Sequence, residues 1–343
     1  MESIKFIALF QSFFKINKSY FIISKLGEGA TCVCFSCMDN NSNVFAIKLF
    51  KPNFAEEFQN ENETLKKLKH EHLINLLEFG KGKIEINYSN NNYNYELDKF
   101  RNLNEINYSL FEICNYDLFE YIYVVKSGFN ENIAKKIFIQ ILSSVEYIHK
   151  NNVVHCDIKP ENILIDNNFK IKLIDFGYSV KLKNENEKLF KIKGTKIYTP
   201  PDCFYNNNKG FDGKSCDIFS LGVVLFVILM GIFPFKNALI NDSYYKLIIK
   251  NDWKSFWKKI NKNNKKISEE FRDLFQKMIC FDSKKRIKIN EIKQHVWLDG
   301  FFNNNNEEYF INEKDDEDYF NEFNQRKKII DCKKKKDLCY SVI

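Results

Sequence analysis

The residues with the clearest chemical potential lie in two short segments near the middle of the chain. Residues 155–162 read His-Cys-Asp-Ile-Lys-Pro-Glu-Asn, and residues 175–177 read Asp-Phe-Gly. Asp157, Asn162 and Asp175 are therefore spaced by five and thirteen residues. Phosphoryl transfer needs such side chains, because the protein must position two substrates and neutralise charge that spreads over the transferred oxygens. Aspartates that merely cap loops are the alternative, and the coincidence of the whole set argues against it.

Together the two segments closely resemble the catalytic and metal-binding loops of the eukaryotic protein kinase superfamily. The resemblance implies that Asp157 accepts the proton of the attacking hydroxyl and that Lys159 lies against the moving phosphate. It also implies that Asn162 and Asp175 hold Mg²⁺. The Lys-Pro-Glu-Asn sequence of residues 159–162 resembles the serine/threonine branch of the superfamily.

A strand is expected to deliver Asp175 to its loop. Residues 170–174 alternate in polarity and contain two isoleucines, which is typical of a strand. The end of a strand is suitable support for a metal ligand.

A glycine-containing segment upstream resembles the phosphate-covering loop of kinases. A Gly-x-Gly alone is more often a plain turn, so its value depends on the Phe-Ala-Ile-Lys sequence of residues 45–48 downstream. The loop departs from the family pattern at Cys32, which replaces the third glycine and predicts a stiffer loop. The residues that the resemblance assigns to nucleotide binding here are Leu26, Gly27, Glu28, Gly29, Ala30, Thr31, Cys32, Val33 and Cys34.

The same resemblance assigns Lys48 to the α- and β-phosphates of ATP and requires a glutamate on the next helix to hold it. Glu61 is the preferred partner, because it lies one turn before Leu65 on the apolar face of the predicted helix. Glu57 and Glu63 are competing candidates, although their positions are more typical of a solvated face.

The adenine and ribose contacts follow from the resemblance as well. The run of residues 109–114 resembles the fifth strand and hinge of kinases, so its backbone would contact adenine. Asp117 would then face the ribose, and Leu164 would form the floor of the adenine pocket. For the apolar residues of this pocket, the assignment hardly differs from the simpler interpretation that they are ordinary core residues. The assigned residues are Ala46, Glu112, Cys114, Asp117 and Leu164, with Cys34 above the pocket.

Two features of the sequence concern the control of activity. Most regulated kinases carry an arginine directly before the base, where it receives the phosphate of a modified activation loop, whereas this chain has Cys156. The loop itself, residues 180–194, contains no Ser, Thr or Tyr. This non-RD pattern predicts activity that does not depend on phosphorylation of that loop.

The next segment favours proteins bearing Ser or Thr as substrates. Thr195 stands where serine/threonine kinases usually contact Lys159, and residues 200–202 resemble the family's Ala-Pro-Glu. The resemblance implies an ion pair between Asp202 and Arg286. Small-molecule kinases of related fold generally lack this segment.

With 343 residues, of which 44% are apolar, the chain can bury one full two-lobed core. The expected fold class is α+β: a bilobal protein-kinase fold with a small, mainly β N-lobe and a larger, mainly α C-lobe. The resemblance to kinases ends at residues 295–297, His-Val-Trp, which are similar to the closing motif of the calcium/calmodulin-dependent kinase group. The expected boundaries are an N-terminal extension at 1–19, a kinase domain at 20–298 (N-lobe about 20–114, Asn-rich insertion about 81–106, C-lobe about 115–298) and a charged tail at 299–343.

The composition of the chain bears on which partners the protein could bind and on where in the cell it could be located. Residues 218–235 are apolar enough to suggest a membrane span, but they follow Asp217 and end in Pro-Phe, so a buried central helix is predicted. Ten cysteines without a secretory signal indicate a reducing compartment, and a cytoplasmic location is expected. The net charge of +7 is spread among loops and runs, which predicts no nucleic-acid surface.

The tail, which changes from acidic to basic over residues 313–336, leaves three interpretations open. A solvated tail is the simplest. Ile329 and Ile330 could instead pack back on the kinase domain. Weak membrane association through the basic run with Cys332 and Cys339 is the third interpretation.

The predicted function is that of a serine/threonine protein kinase using ATP and Mg²⁺. A pseudokinase scaffold that signals by conformation is the alternative from another class. No calcium-binding loop is visible, so calcium dependence would need a separate partner, and the oligomeric state stays open. Scaffolds typically lose at least one site residue, whereas this chain keeps Lys48, Glu61, Asp157, Lys159, Asn162 and Asp175.

Overall fold

The computed structural model describes two compact units. Unit 1 takes its described residues from Met1–Lys69, Leu73–Asn115 and Asp175–Gly177, and unit 2 from His70–His72, Tyr116–Ile174 and Tyr178–Ile343. Unit 1 is mainly strand and unit 2 mainly helix, which confirms the expected α+β, bilobal class. The described residues are 14–16, 19–86, 100, 103–114, 116–191, 194–205, 209–261, 265–302 and 316–340.

The described residues of unit 1 form a seven-stranded sheet and one α-helix. The sheet has the order β5-β7-β4-β3-β2-β1-β6, and all neighbouring strands are antiparallel. The elements are β1 (Phe14–Ile16), β2 (Tyr20–Glu28), β3 (Cys32–Met38), β4 (Val44–Phe50), α1 (Ala55–Leu65), β5 (Leu76–Gly82), β6 (Ile84–Ile86) and β7 (Ile106–Phe111).

Alternation along β3 and β4 separates a core face from a face that carries polar chemistry. Val33 and Phe35 on β3, and Ile47 and Leu49 on β4, are all 0% exposed and form one apolar cluster. Successive side chains of a strand point to opposite faces of the sheet. Lys48 therefore projects from the face opposite this cluster.

Two expected boundaries cut through this sheet. β1 lies inside the predicted extension at 1–19 and pairs with β2, and β6 lies inside the predicted insertion at 81–106 and pairs with β1. The difference arises because strands of three residues carry too little periodicity to be read from sequence. Most of the Asn-rich insertion, residues 87–99, lies outside the described part of the chain.

Unit 2 is built mainly from helices, with short strands between them. Its strands are β8 (Tyr116–Asp117), β9 (Val153–Val154), β10 (Ile163–Ile165), β11 (Ile171–Leu173), β12 (Val180–Lys181), β13 (Lys188–Leu189) and β14 (Phe211–Asp212). These strands form a three-stranded sheet, β11-β10-β8, and the pairs β12-β9 and β13-β14. Its helices are α2 (Leu118–Tyr123), α3 (Glu131–Lys150), α4 (Pro201–Tyr205), α5 (Gly213–Met230), α6 (Tyr245–Ile249), α7 (Trp253–Ile260), α8 (Glu269–Met278), α9 (Ile289–Lys293) and α10 (Asp316–Tyr340).

Helix α5 is the centre of unit 2. Among the described helices it alone is long and apolar enough to cross a membrane, and 83% of it is buried inside the protein. The Phe226 ring packs against aromatic rings of α7 and α8, at 4.8 Å from the Phe275 ring. Asp212 caps the helix by accepting a hydrogen bond from the Ser215 amide at 3.1 Å. Apolar residues on all sides are what a helix buried all round requires.

Helix α10 shows that the tail is not simply solvated. Tyr319, Phe323 and Ile330 are 5%, 0% and 0% exposed, and the Phe323 ring stacks on Phe129 at 5.3 Å. These residues recur at spacings of four and seven, so they share one helical face. The interpretation of residues 316–340 as a solvated tail is therefore wrong. The many charged residues of this segment made its apolar face difficult to recognise in the sequence. Ile329, expected to pack, is 47% exposed.

Candidate active site

Lys48 and Glu61 form the centre of the candidate site in unit 1. The Lys48 Nζ lies 2.9 Å from both carboxylate oxygens of Glu61. Helix α1 carries Glu61, which is 1% exposed. Of the three glutamates considered as partners, the structure brings Glu61 to the lysine.

Asp175 contacts the same ammonium group. Its Oδ1 lies 3.0 Å from the Lys48 Nζ. Asp175 has a positive φ of 66°, a left-handed conformation that aspartate tolerates better than most residues. Asn60 on α1 donates from Nδ2 to the carbonyl oxygens of residues 176–177, at 3.1 and 2.9 Å. These contacts hold the Asp-Phe-Gly segment against the helix.

Burial and ion pairing act against each other in this group. Burial opposes the charge on Lys48, but Asp175 and Glu61 raise the lysine pKa well above its usual value. Burial raises the pKa of Glu61 to about 7, and Lys48 opposes that rise. The ammonium therefore stays charged, as a group that binds phosphate must.

The glycine-containing loop, residues 26–34, comprises the end of β2, a turn and the start of β3. The Gly29 amide donates to the Cys32 carbonyl oxygen at 3.0 Å and closes the turn. Lys51, just after β4, donates from Nζ to the Gly29 carbonyl oxygen at 2.9 Å. Lys51 also pairs with Glu28 at 3.1 Å. The lysine ties the loop to the neighbouring strand.

Cys32 and Cys34 lie on the face of the sheet that carries Ala46 and Lys48. A hydrogen bond from Cys34 lowers the pKa of the Cys32 thiol to about 6; burial opposes this shift and Lys48 assists it. The hydrogen bond with Cys32 and burial raise the pKa of Cys34 well above its usual value. Replacing the third glycine thus introduces an acidic thiol.

The segment after β7 holds the residues expected at the adenine hinge. The Glu112 carboxylate accepts a hydrogen bond from the Asn75 amide at 2.9 Å, so it is engaged within unit 1. The Cys114 side chain is 6% exposed. Any adenine contact by this segment would therefore come from its backbone.

Asp157 is the centre of a hydrogen-bonded network in unit 2. Its Oδ1 accepts hydrogen bonds from the Thr195 amide at 2.8 Å and from the Thr195 hydroxyl at 2.9 Å. The Lys159 Nζ lies 2.7 Å from the Asp157 Oδ2 and 3.0 Å from the Thr195 Oγ1. Asn162 donates from Nδ2 to the same Oδ2 at 3.1 Å. The network fixes both oxygens of the candidate base.

Asp217 on α5 holds the backbone that precedes the candidate base. Its carboxylate accepts hydrogen bonds from the amides of His155 and Cys156, at 2.9 and 3.0 Å. The His149 Nε2 lies 2.8 Å from the same carboxylate. Gly194 has a φ of 91°, and a Cβ there would lie 2.3 Å from the Cys156 carbonyl oxygen. Glycine is therefore required at that position.

Asp117 and Leu164 are paired in the β8–β10 ladder. Asp117 caps α2 by accepting a hydrogen bond from the Glu120 amide at 2.7 Å. Burial raises the Asp117 pKa to about 7; the backbone hydrogen bond opposes this, and Glu120 and Glu161 add to it. The residue expected at the ribose is thus already the cap of a helix.

Asp202 and Arg286 form the expected ion pair, at 2.8 Å between Oδ1 and Nη2. Arg286 Nη1 also donates to the Ser215 carbonyl oxygen at 2.9 Å. Its guanidinium lies over the Phe219 ring at 5.1 Å. These contacts join α4 to α5.

Comparison with known proteins identifies the architecture. The model of the protein kinase domain family matches residues 20–298. The chain belongs to the protein kinase family. Calcium-dependent protein kinase 4 of Plasmodium falciparum (isolate 3D7) is 32% identical over 293 residues, covering 82% of this chain and 50% of that protein.

Other kinases match a shorter part of the chain. Serine/threonine protein kinase OSK3 of Oryza sativa subsp. indica is 37% identical over 192 residues, covering 56% of this chain and 35% of that protein. The SNF-related serine/threonine-protein kinase of Homo sapiens is 36% identical over 185 residues, covering 54% of this chain and 23% of that protein. The chain spans half or less of the length of these relatives.

Two contacts of this kinase domain were missed by the sequence analysis. Asn60 binds the backbone after Asp175, and Lys51 binds the glycine-containing loop. Their positions were the only signals available: Asn60 directly precedes Glu61, and Lys51 follows Lys48 by three residues. Asparagine and lysine are too common in this chain for residue type alone to mark them.

The donor atoms of the kinase domain fit ATP and Mg²⁺. Mg²⁺ prefers oxygen ligands, and the Asp175 carboxylate supplies them in unit 1. In unit 2, Asn162 uses its Nδ2 to bind Asp157, which leaves the amide oxygen as the atom suited to a cation. The Lys48 ammonium carries a positive charge, which suits nucleotide phosphates.

Proposed function

We propose that this protein transfers the γ-phosphate of ATP to serine or threonine hydroxyls of other proteins. The observation that carries the proposal is the network around Asp157, in which Lys159 and Thr195 fix both carboxylate oxygens. A general base must be held within hydrogen-bonding reach of the proton that it removes. This network would give Asp157 one orientation.

Each residue has one task in the proposed reaction. Asp157 accepts the proton of the substrate hydroxyl as that oxygen attacks phosphorus. Lys159 neutralises charge on the transferred group, and Lys48 orients the nucleotide phosphates. ATP-bound Mg²⁺ supplies the positive charge that offsets the developing charge, with Asp175 and Asn162 as its proposed protein ligands.

Serine and threonine are the proposed acceptors for two reasons. Lys159 contacts the Thr195 hydroxyl at 3.0 Å, the contact expected of serine/threonine kinases. The names of the rice and human relatives describe serine/threonine kinases. Both reasons concern the acceptor and not the identity of the substrate protein.

The test is phosphate transfer to a mixed peptide library by the wild-type protein and by Asp157→Asn. Asparagine keeps the shape but cannot take the proton, so we expect a fall in kcat of about 10²–10⁴-fold. Asp318→Asn, at an exposed position of α10, is the matched control and should keep full activity. Binding of ATP without transfer by the wild-type protein would favour the pseudokinase alternative.

We also propose that activity is independent of phosphorylation of residues 180–194. That segment lacks hydroxyl side chains, and strand pairs already hold its beginning and its middle: β12 pairs with β9, and β13 with β14. Lys188 adds an ion pair with Asp212 at 3.6 Å. Because these contacts already order the segment, a phosphate on it would add little further order.

Phosphatase treatment measures this independence. We expect the treated protein to keep its initial rate within about twofold, with no phosphate detected by mass spectrometry on residues 180–194. Mock-treated protein is the control. Loss of activity that returns with rephosphorylation of this segment would contradict the proposal.

We further propose a reducing, cytoplasmic location. None of the cysteines whose side chains the structure describes is in a disulfide, and a reducing compartment would keep them so. Imaging of the tagged protein in its own cells would test the location, and a secreted product would contradict it.

A further inference from the structure

Two thiols outside the candidate active site lie against each other in unit 2. Cys203 is on α4 and Cys216 is in the first turn of α5, and their Sγ atoms are 3.3 Å apart. A disulfide would bring the sulfurs about 1.3 Å closer. We propose that Cys203 and Cys216 are a redox modification site, which hydrogen peroxide converts to a reversible intramolecular disulfide.

The surroundings of the two thiols give them different tasks. Cys216 is 7% exposed and packs in an apolar cluster with Val154 and Phe211, whereas Cys203 is half-buried at the edge of that cluster. The hydrogen bond with Cys203 and burial keep the pKa of the Cys216 thiol well above its usual value. Peroxide therefore meets Cys203 first, and Cys216 acts as the resolving thiol.

The chemistry balances with peroxide as the oxidant. Cys203 takes one oxygen atom from hydrogen peroxide, which gives a sulfenic acid and releases water. The Cys216 sulfur then attacks the Cys203 sulfur, the S–S bond forms and the S–O bond breaks. The leaving hydroxide takes the Cys216 proton and departs as a second water. A dithiol reductant returns both electrons and restores the thiols by exchange.

A metal site is the competing use of the same groups. Asp202, Cys203 and Cys216 place one ligand atom each within 4.8 Å of one another. However, Asp202 already pairs with Arg286, whose side chain is 0% exposed. A divalent cation there would lie beside a buried guanidinium, which costs electrostatic energy. The pair of thiols is therefore better suited to redox chemistry.

The disulfide would act on the segment that positions the peptide substrate. Cys203 directly follows Asp202, whose ion pair with Arg286 joins α4 to α5. Drawing the Cys203 sulfur to α5 shifts the residue beside that ion pair. This consequence, unlike the disulfide itself, depends on the proposed kinase function. We expect a several-fold rise in KM for the peptide and an unchanged KM for ATP.

The disulfide can be detected without any activity assay. Full-length protein is treated with hydrogen peroxide at a temperature where it stays folded, alkylated with iodoacetamide and digested with trypsin. Cleavage after Lys209 and Lys214 puts the cysteines into peptides 197–209 and 215–236. We expect these two peptides to be linked, and the link to disappear with dithiothreitol.

Variants and isotope mixing make the result decisive. Cys203→Ser and Cys216→Ala should each abolish the link, whereas Cys332→Ser, which removes an exposed cysteine of α10, should leave it intact. Mixing ¹⁵N-labelled with unlabelled protein distinguishes a link within one molecule from a link between two. Links between molecules, or oxidation of Cys203 to sulfinic acid without any link, would overturn the proposal.

The kinetic effect has its own readout. The peptide KM of the oxidised protein should return to its starting value with dithiothreitol, and Cys203→Ser should not respond to peroxide. A linked protein with unaltered peptide KM would overturn the proposed effect on substrate positioning. An inactive protein that still forms the link would contradict the kinase proposal alone.

Discussion

Asp117 combines two demands that conflict at the scale of one residue. As the cap of α2 it must present an oxygen to the Glu120 amide, yet burial, Glu120 and Glu161 disfavour its negative charge. Lys334 of α10 offsets only part of this. A carboxyl whose pKa is raised on folding stabilises the protein most below its unfolded pKa, and that contribution disappears as pH rises through about 7.

Asp117→Asn should therefore stabilise the protein only where the carboxylate is ionised. Asparagine is as good a helix cap as aspartate and carries no charge. We expect the melting temperature to rise by about 2–4 °C at pH 8 and to be unchanged at pH 4, measured by circular dichroism. Asp318→Asn controls for loss of a surface charge, and a pH-independent shift would refute the electrostatic explanation.

At the scale of the element, a buried cation adds to the apolar contacts that hold α10 against the rest of unit 2. Arg326 is 4% exposed, donates to the carbonyl oxygens of Tyr121, Ser127 and Gly128, and lies 3.9 Å from the centre of the Phe129 ring. Removing one member of such a buried set leaves the other polar groups without their donor. The helix is therefore a structural part of unit 2.

Arg326→Met should cost about 3–5 kcal/mol of unfolding free energy, because the buried acceptors and Glu322 lose their cation. Urea denaturation measures this loss. Lys328→Met, at an exposed position of the same helix, should change stability by no more than about 0.5 kcal/mol. Equal effects of the two variants would mean that α10 does not dock through Arg326.

At the scale of the whole molecule, stability should be uneven along the chain. Helix α5 is surrounded by core residues, whereas most of β5 is exposed. Amides open locally in proportion to how little they are buried and packed. Hydrogen exchange followed by mass spectrometry should find the slowest amides in α5 and markedly faster ones in β5. Comparable protection of the two elements would contradict this order.

The sequence revealed what depends on short spacing. Asp157, Asn162 and Asp175 stand in two local segments, and helical periodicity singled out Glu61 as the partner of Lys48. Contacts between distant parts of the chain could not be read in this way. Arg326 reaches backbone about two hundred residues away, and its carbonyl partners carry no sequence signal.

Other features stayed hidden for the same physical reason. The proximity of Cys203 to Cys216 depends on how α4 packs on α5, and this packing cannot be predicted from the amino-acid composition. The apolar stripe of α10 is diluted by lysines and glutamates, so its average polarity suggested a solvated tail. β1 and β6 are too short for their alternation to be recognised.

Those two short strands also bear on aggregation. A sheet that ended at β2 would present nine residues of unpaired backbone, on which a strand from another chain could grow. β1 covers the beginning of that edge, where it pairs with Tyr20 and Phe21, and β6 in turn pairs with all three residues of β1. At the opposite edge, β5 has an irregular register and contains Gly80, Lys81 and Gly82. The β1–β6 extension on one side and the irregular β5 on the other therefore leave less regular backbone for intermolecular β-pairing than a bare β2 edge would.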